Sequence, residues 1–260
     1  MPDTENNLQR EFLNTLNSVT AHLQYLKEEG VQSVAADPNI VRRLGTTPAP
    51  ATASPPPTTA PAGRNVSASG VTAGLKEIAA EIAVCTQCPL HKTRTRTVPG
   101  QGSTTPEIMF IGEGPGYDED QQGLAFVGRA GQLLTKIIEA MGFTRDQVFI
   151  GNIVKCRPPE NRKPLPDEMN ACLPYLRAQI DLLKPKIIVA LGATAVQGLL
   201  QIETLGITRL RGKWMSYQDI DLMPTFHPAY LLRNPPAKRD VWEDMKAVLT
   251  KLGKEPPKRR

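Results

Sequence analysis

The chain has 260 residues, 40% apolar and 22% charged, with a net charge of +5. That is enough apolar material for one large or two small folded units, and the longest apolar run, 187–200, is broken by Gly192, Thr194, Gln197 and Gly198, which excludes a membrane span there. Four cysteines and no leader-like apolar stretch suit a reducing, cytoplasmic compartment, where thiols bind metal or do redox chemistry rather than pair as disulfides.

Residues 1–44 read as an N-terminal amphipathic helical segment. Phe12, Leu13, Leu16, Val19, Leu23 and Leu26 recur at three- and four-residue spacing over 5–29 and make one apolar stripe. A lone helix cannot bury such a stripe, so it docks on its own domain, on a second copy or on a protein partner. The segment carries four basic and six acidic side chains, a net −2. Residues 45–74 carry only Arg64 and are rich in proline, alanine and threonine, which predicts a flexible linker. The folded domain is then expected over 75–252, followed by a basic tail at 253–260. Residues 75–260 hold 26 basic and 20 acidic side chains, so the excess positive charge that attracts nucleic acid lies here.

A short helix over 75–84 leads to Cys85-Thr-Gln-Cys88. Four strand-like runs follow, at 107–111, 148–154, 186–191 and 222–226. Helices are predicted between and after them, at 131–141, 167–183, 193–201 and 236–252, with an irregular excursion or hairpin at 203–220. Alternating strands and helices predict a parallel sheet covered on both faces, an α/β class.

The carboxyl ends of all four strands are unusual. The first runs into Gly112-Glu113-Gly114-Pro115-Gly116 and an acidic loop ending at Phe126. The second ends in Gly151-Asn152 and continues to Cys156. The third ends in Gly192-Ala193-Thr194, the fourth in His227-Pro-Ala-Tyr-Leu-Leu-Arg233. In an open parallel sheet these ends share one edge, where ligands bind, so Glu113, Asn152 and His227 are expected to converge. Gly112 to Gly116 is neither a dinucleotide fingerprint, since position 117 is Tyr, nor a phosphate loop, since no Gly-Lys-Ser/Thr follows. Its glycines let a flat ligand approach the backbone.

Cys85, Cys88, Cys156 and Cys172 suit one four-thiolate site, and both zinc and an iron–sulfur cluster fit it. The spread second pair favours the larger group, with His91 as an alternative ligand. At the last strand end, Leu231 and Leu232 beside Arg233 suit a wedge between bases with the Arg on a phosphate, or else two anchors in the core.

GEGPGYDEDQQGLAFVGRAGQLL, NIVKCRPPENRKP, the cysteine spacing and HPAYLLR together resemble the family 4 uracil-DNA glycosylases over about 75–252. The resemblance implies a three-layer α/β/α sandwich around a four-stranded parallel sheet. It implies a 4Fe–4S cluster on Cys85, Cys88, Cys156 and Cys172. It also implies hydrolysis of the deoxyuridine glycosidic bond in single- or double-stranded DNA by a monomeric domain in the cytoplasm, at the nucleoid. Carried over by position, Glu113, Gly114 and Pro115 contact uracil and help hold the attacking water, Phe126 stacks on the base, Asn152 reads its amide edge and His227 bonds the O2 side. Leu231 or Leu232 fills the gap, Arg233 holds a phosphate, and a close wall at Phe126 or Tyr117 excludes the thymine methyl. The chain departs from other branches of the superfamily in having Gly114 where they carry a water-polarising Asp. It also lacks, near residue 160, the His with which one branch traps its substrate, so turnover is expected. A non-catalytic nucleic-acid-binding module, or a polymerase-associated domain of the same fold, are the alternatives.

Overall fold

The computed structural model describes residues 68–202 and 206–257. The stripe at 5–29, the linker up to residue 67 and the last three residues of the tail lie outside the described residues. Six strands form one sheet: β1 (Gln101–Gly102), β2 (Ile108–Gly112), β3 (Phe149–Asn152), β4 (Ile187–Leu191), β5 (Met215–Tyr217) and β6 (Ile220–Thr225). Their order is β1-β3-β2-β4-β6-β5. The four expected strands are the parallel centre, β3-β2-β4-β6.

The sheet therefore has six strands, not four. The two extra ones are antiparallel edges too short to show a period. β1 pairs with β3 for two residues, between Gly100 and Gly102 at positive φ and against Ile150 and Phe149. β5 folds back on β6 through a two-residue turn with Gln218 at φ 53°, which supplies the hairpin expected in the excursion.

Helices cover both faces. They are α1 (Ala68–Val84), α2 (Tyr117–Gln122), α3 (Arg129–Ala140), α4 (Pro166–Leu183), α5 (Ala193–Leu200), α6 (Ile207–Leu210), α7 (Pro228–Arg233) and α8 (Lys238–Lys251). On one face Met109, Ile111, Ile188 and Ala190 pack with residues of α1, α4 and α5. On the other, Ile108, Phe110, Ile187 and Val189 pack with Leu134 and Ile138 of α3 and Val241, Met245 and Val248 of α8. Burial on both faces explains why β2 and β4 are continuous apolar runs rather than alternating ones. Each buried Leu or Ile there contributes about 1.5–3 kcal/mol.

Two boundaries differ from expectation. The first helix begins at Ala68, inside the stretch expected as linker, and Val71 is buried in the core. Its small residues are packing surface: a Cβ at Gly74 would stand 2.9 Å from Leu182 of α4. The acidic loop after Gly116 contains α2, closed by Gly123 at φ 73°. Among the described residues no helix is long and apolar enough to cross a membrane.

Because β2 lies between β3 and β4, the chain leaves it in one direction and returns on the other side. The reversal opens a crevice at the carboxyl edge.

Candidate active site and cysteine cavity

A cavity of about 560 Å³ occupies that crevice. Glu113, Gly114, Pro115, Tyr117, Phe126, Asn152, His227 and Arg233 all line it, together with Arg129 and Arg162, which the sequence had not singled out for the site.

The walls are held by close backbone approach. A Cβ at Gly112 would fall 2.5 Å from both Asn152 Oδ1 and Phe126 Cζ, so only glycine lets the amide and the ring meet there. Phe126 itself sits at φ 53°, a conformation rare for a bulky residue. Two contacts impose it. Gly131 packs so tightly on Phe126 that a Cβ would lie 2.0 Å from its carbonyl. Arg145 donates to the carbonyls of Phe126 (3.1 Å) and Ala125 (2.7 Å). Glu119 closes the loop: Oε1 accepts from the Val127 and Gly128 N–H groups, both at 2.9 Å, and Oε2 from Gly116 at 3.1 Å. The buried Asp120 accepts from Thr95 N–H at 2.9 Å, fixing α2 to the segment after Cys88.

Asn152 is 1% exposed, and its Oδ1 has no protein partner. An unsatisfied buried acceptor costs about 1–3 kcal/mol. Asn152 also lines the cavity, so this acceptor without a protein partner stands beside it. His227 caps α7, with its Nδ1 accepting from Ala229 N–H at 3.1 Å. An Nδ1 that accepts leaves the proton of a neutral ring on Nε2. Desolvation first, and Arg233 second, push its pKa down to about 4, so the imidazole is neutral at physiological pH. Its ring lies 5.6 Å from that of Phe126, tilted by 34°. Glu113 is partly buried, and Thr194 Oγ1 donates to its Oε2 at 2.5 Å.

At the mouth, Tyr117 is 58% exposed with the Arg157 guanidinium 5.1 Å from its ring centroid. The pair of leucines divides. Leu231 is fully buried in the core between α3 and α8, so it is an anchor and not a wedge. Leu232 is exposed beside exposed Arg233. Adjacent positions on one helical turn point to different sides, which is the reason for the split.

Cys85, Cys88, Cys156 and Cys172 are all free and line a second cavity, with His91, Arg94 and Tyr175. Among the described residues no three His, Cys, Asp or Glu side chains meet as a single-ion site. Three segments supply the thiols: the end of α1, the turn after β3, and α4. Donors already point at the sulfurs. Arg94 Nη1 reaches Cys156 Sγ at 3.2 Å while also bonding the Cys85 carbonyl at 2.8 Å, and Lys155 N–H reaches Cys172 Sγ at 3.2 Å. Burial raises the thiols of Cys88, Cys156 and Cys172, the last to about 11. Thiolates there need a compensating positive group, so the donor set fits a metal cluster. His91 instead bonds the Cys88 carbonyl at 2.8 Å through Nδ1. Lys155, fully buried and lowered to about 8 by desolvation, joins the two cavities, since its Nζ donates to Asn152 O (3.0 Å) and Gln179 Oε1 (2.8 Å).

Sequence reasoning missed Glu119, Arg145 and Lys155, and it placed Thr194 at a strand end without giving it a role. Only Glu119 left a local trace, as the acidic residue three positions into a helix that follows Gly116.

The profile of the uracil DNA glycosylase superfamily matches residues 99–246. The chain is 46% identical over 187 residues to a Type-4 uracil-DNA glycosylase of Thermotoga maritima, spanning 70% of this chain and 96% of that one. It is 47% identical to the Type-4 uracil-DNA glycosylase of Sulfurisphaera tokodaii, over 67% of this chain and 83% of the relative. Against that of Saccharolobus solfataricus the figures are 44%, 69% and 87%. With the cavity, the strand-end residues and the four thiols in place, these similarities mean that the chain belongs to the family 4 uracil-DNA glycosylases.

Proposed function

We propose that this protein is a DNA-repair glycosylase that flips deoxyuridine out of DNA and hydrolyses its N-glycosidic bond, releasing uracil and leaving an abasic site. The observation that carries this reading is the unpartnered, buried Oδ1 of Asn152 in a cavity that also holds a neutral imidazole. Enzymes that act on a base take it out of the stack, and the cavity is large enough for a single base and its sugar. Acting on DNA, the protein works where the nucleoid is.

Phe126 stacks on the flipped ring. Asn152 presents Oδ1 to N3–H and its NH₂ to O4, a pattern that cytosine mismatches. As the C1′–N1 bond breaks, its electron pair passes into the ring and negative charge gathers on O2. His227 donates Nε2–H to that oxygen, and a preorganised donor of this kind is worth about 3 kcal/mol. Water adds to C1′, held by the Glu113 carboxylate and the backbone at Gly114 and Pro115, and gives its proton to Glu113. Uracil leaves as the anion. Leu232 fills the vacated stack and Arg233 holds a phosphate.

Cys85, Cys88, Cys156 and Cys172 hold a 4Fe–4S cluster in this reading. When bound, the group supplies a structural tie between three segments rather than a redox step. Arg94 and the Lys155 N–H stabilise the thiolate charge.

The test is incubation of the purified protein with uracil-containing single- and double-stranded oligonucleotides, followed by alkali. Cleavage at the uracil position is expected, and no cleavage by cluster-loaded protein overturns the reading in favour of a non-catalytic binding module. Iron and acid-labile sulfide in equal amounts, with a brown colour, are expected. Zinc without sulfide would overturn the cluster assignment alone.

A further inference from the structure

Glu113 follows β2, and α5 opens just after β4, the strand paired beside it. Gly192, at φ 92°, turns the chain sharply between β4 and α5, and its N–H bonds Thr225 O of β6 at 2.9 Å, so the start of α5 is pinned to the sheet. Two residues on, Thr194 is 5% exposed. Its hydroxyl does not turn back on its own helix. It crosses to Glu113 Oε2, at 2.5 Å, and donates there. Among the described residues it is the side-chain hydrogen bond that the Glu113 carboxylate accepts.

We propose that Thr194 is a positioning residue for the hydrolytic water: it commits Oε2 of Glu113 and thereby turns Oε1 toward the cavity. This rests on the glycosylase reading and on Glu113 as the group that holds the water. Three features support it. The donor is an uncharged hydroxyl, which can only orient the acid and cannot replace it as a base. Its partner lines the substrate cavity while Thr194 does not, so the bond acts through Glu113. The α5 N-terminus also presents its positive end to the carboxylate, which reinforces the same orientation.

The experiment measures single-turnover uracil release and oligonucleotide affinity for the full chain, for Thr194→Val, Thr194→Ser and Glu113→Gln, and for the double variant Thr194→Val/Glu113→Gln. Thr194→Val keeps the volume and removes the hydroxyl. It is expected to slow release about ten-fold, the effect of one hydrogen bond to a charged group, with affinity and melting temperature unchanged. Thr194→Ser is expected to restore most of the rate. The double variant is expected to be no slower than Glu113→Gln alone. A wild-type rate for Thr194→Val, a loss confined to affinity, or losses that multiply in the double variant each overturn the proposal while leaving the glycosylase reading intact. Wild-type activity in Glu113→Gln does the same. An inactive wild type overturns both. If Thr194→Val does not fold, Thr194→Ala takes its place, and failure of both to fold means that the bond is structural.

Discussion

The two cavities are built on opposite plans although one lysine touches both. In the strand-end cavity polar groups are left without protein partners: Asn152 Oδ1 is buried with none, and the imidazole of His227 is kept neutral with Nδ1 as its acceptor. In the cysteine cavity the donors already reach the sulfurs, from Arg94 and from the Lys155 backbone. A guest that comes and goes needs groups whose bonds are completed only on binding. A resident group needs its surroundings satisfied from the start. On the proposed reading, the first cavity turns over and the second holds.

The plan breaks most visibly at the cysteines. Cys172→Ser is expected to lose iron and to destabilise the domain by several kcal/mol, because the energy of a structural metal site is folding energy. Thermal unfolding and metal analysis check this, and a variant with native stability and no iron would show that the cavity is not a staple. His227→Ala is expected to do the reverse. Release of uracil falls by about 10²–10³, while iron content and melting temperature stay as in the wild type. If both variants lost activity and iron together, the two-cavity division would be wrong.

A smaller effect sharpens the picture of the guest site. Gly112→Ala places a methyl where Asn152 Oδ1 and the Phe126 ring lie. The expected cost is about ten- to a hundred-fold in kcat/KM, since small displacements of positioning groups are costly. Soaking uracil into the variant and measuring its affinity separates lost stacking from lost folding.

The last effect is on the pH dependence of stability. His227 is held neutral in the fold by a pKa near 4, while the unfolded chain has the ordinary value of 6.5. Between those values the unfolded state binds a proton that the native state refuses, so stability rises with pH across that window and is fully recovered above 6.5. Melting temperature measured from pH 4 to 6.5 should therefore fall more steeply on acidification for the wild type than for His227→Ala. Equal slopes would mean that the imidazole is protonated in the folded protein.

Much of this was legible in the amino-acid sequence, for reasons that also mark where it stopped. The central strands were readable because strands buried on both faces are unbroken apolar runs ending in glycine, asparagine or histidine. Glu113, Asn152 and His227 could be brought together because parallel strands put their ends on one edge. Leu231 and Leu232 could not be told apart, since only the helix phase decides which is buried. The start of α1 hid in a stretch of serine, alanine and glycine whose composition suits a linker equally well. Arg145, Lys155 and Thr194 work through carbonyls or through an acid 81 positions away, and such contacts leave no local pattern.

The placement of the thiols also has a consequence for the order in which the molecule is made. Cys172 lies on α4, ahead of β4 in the chain, whereas His227 follows β6. Chains fold from the amino end as they emerge. All four sulfurs therefore precede half of the central sheet, and the histidine with it, in the order of synthesis. If the thiols hold the proposed cluster, their ligand set is complete in the chain before the histidine of the strand-end cavity has been added.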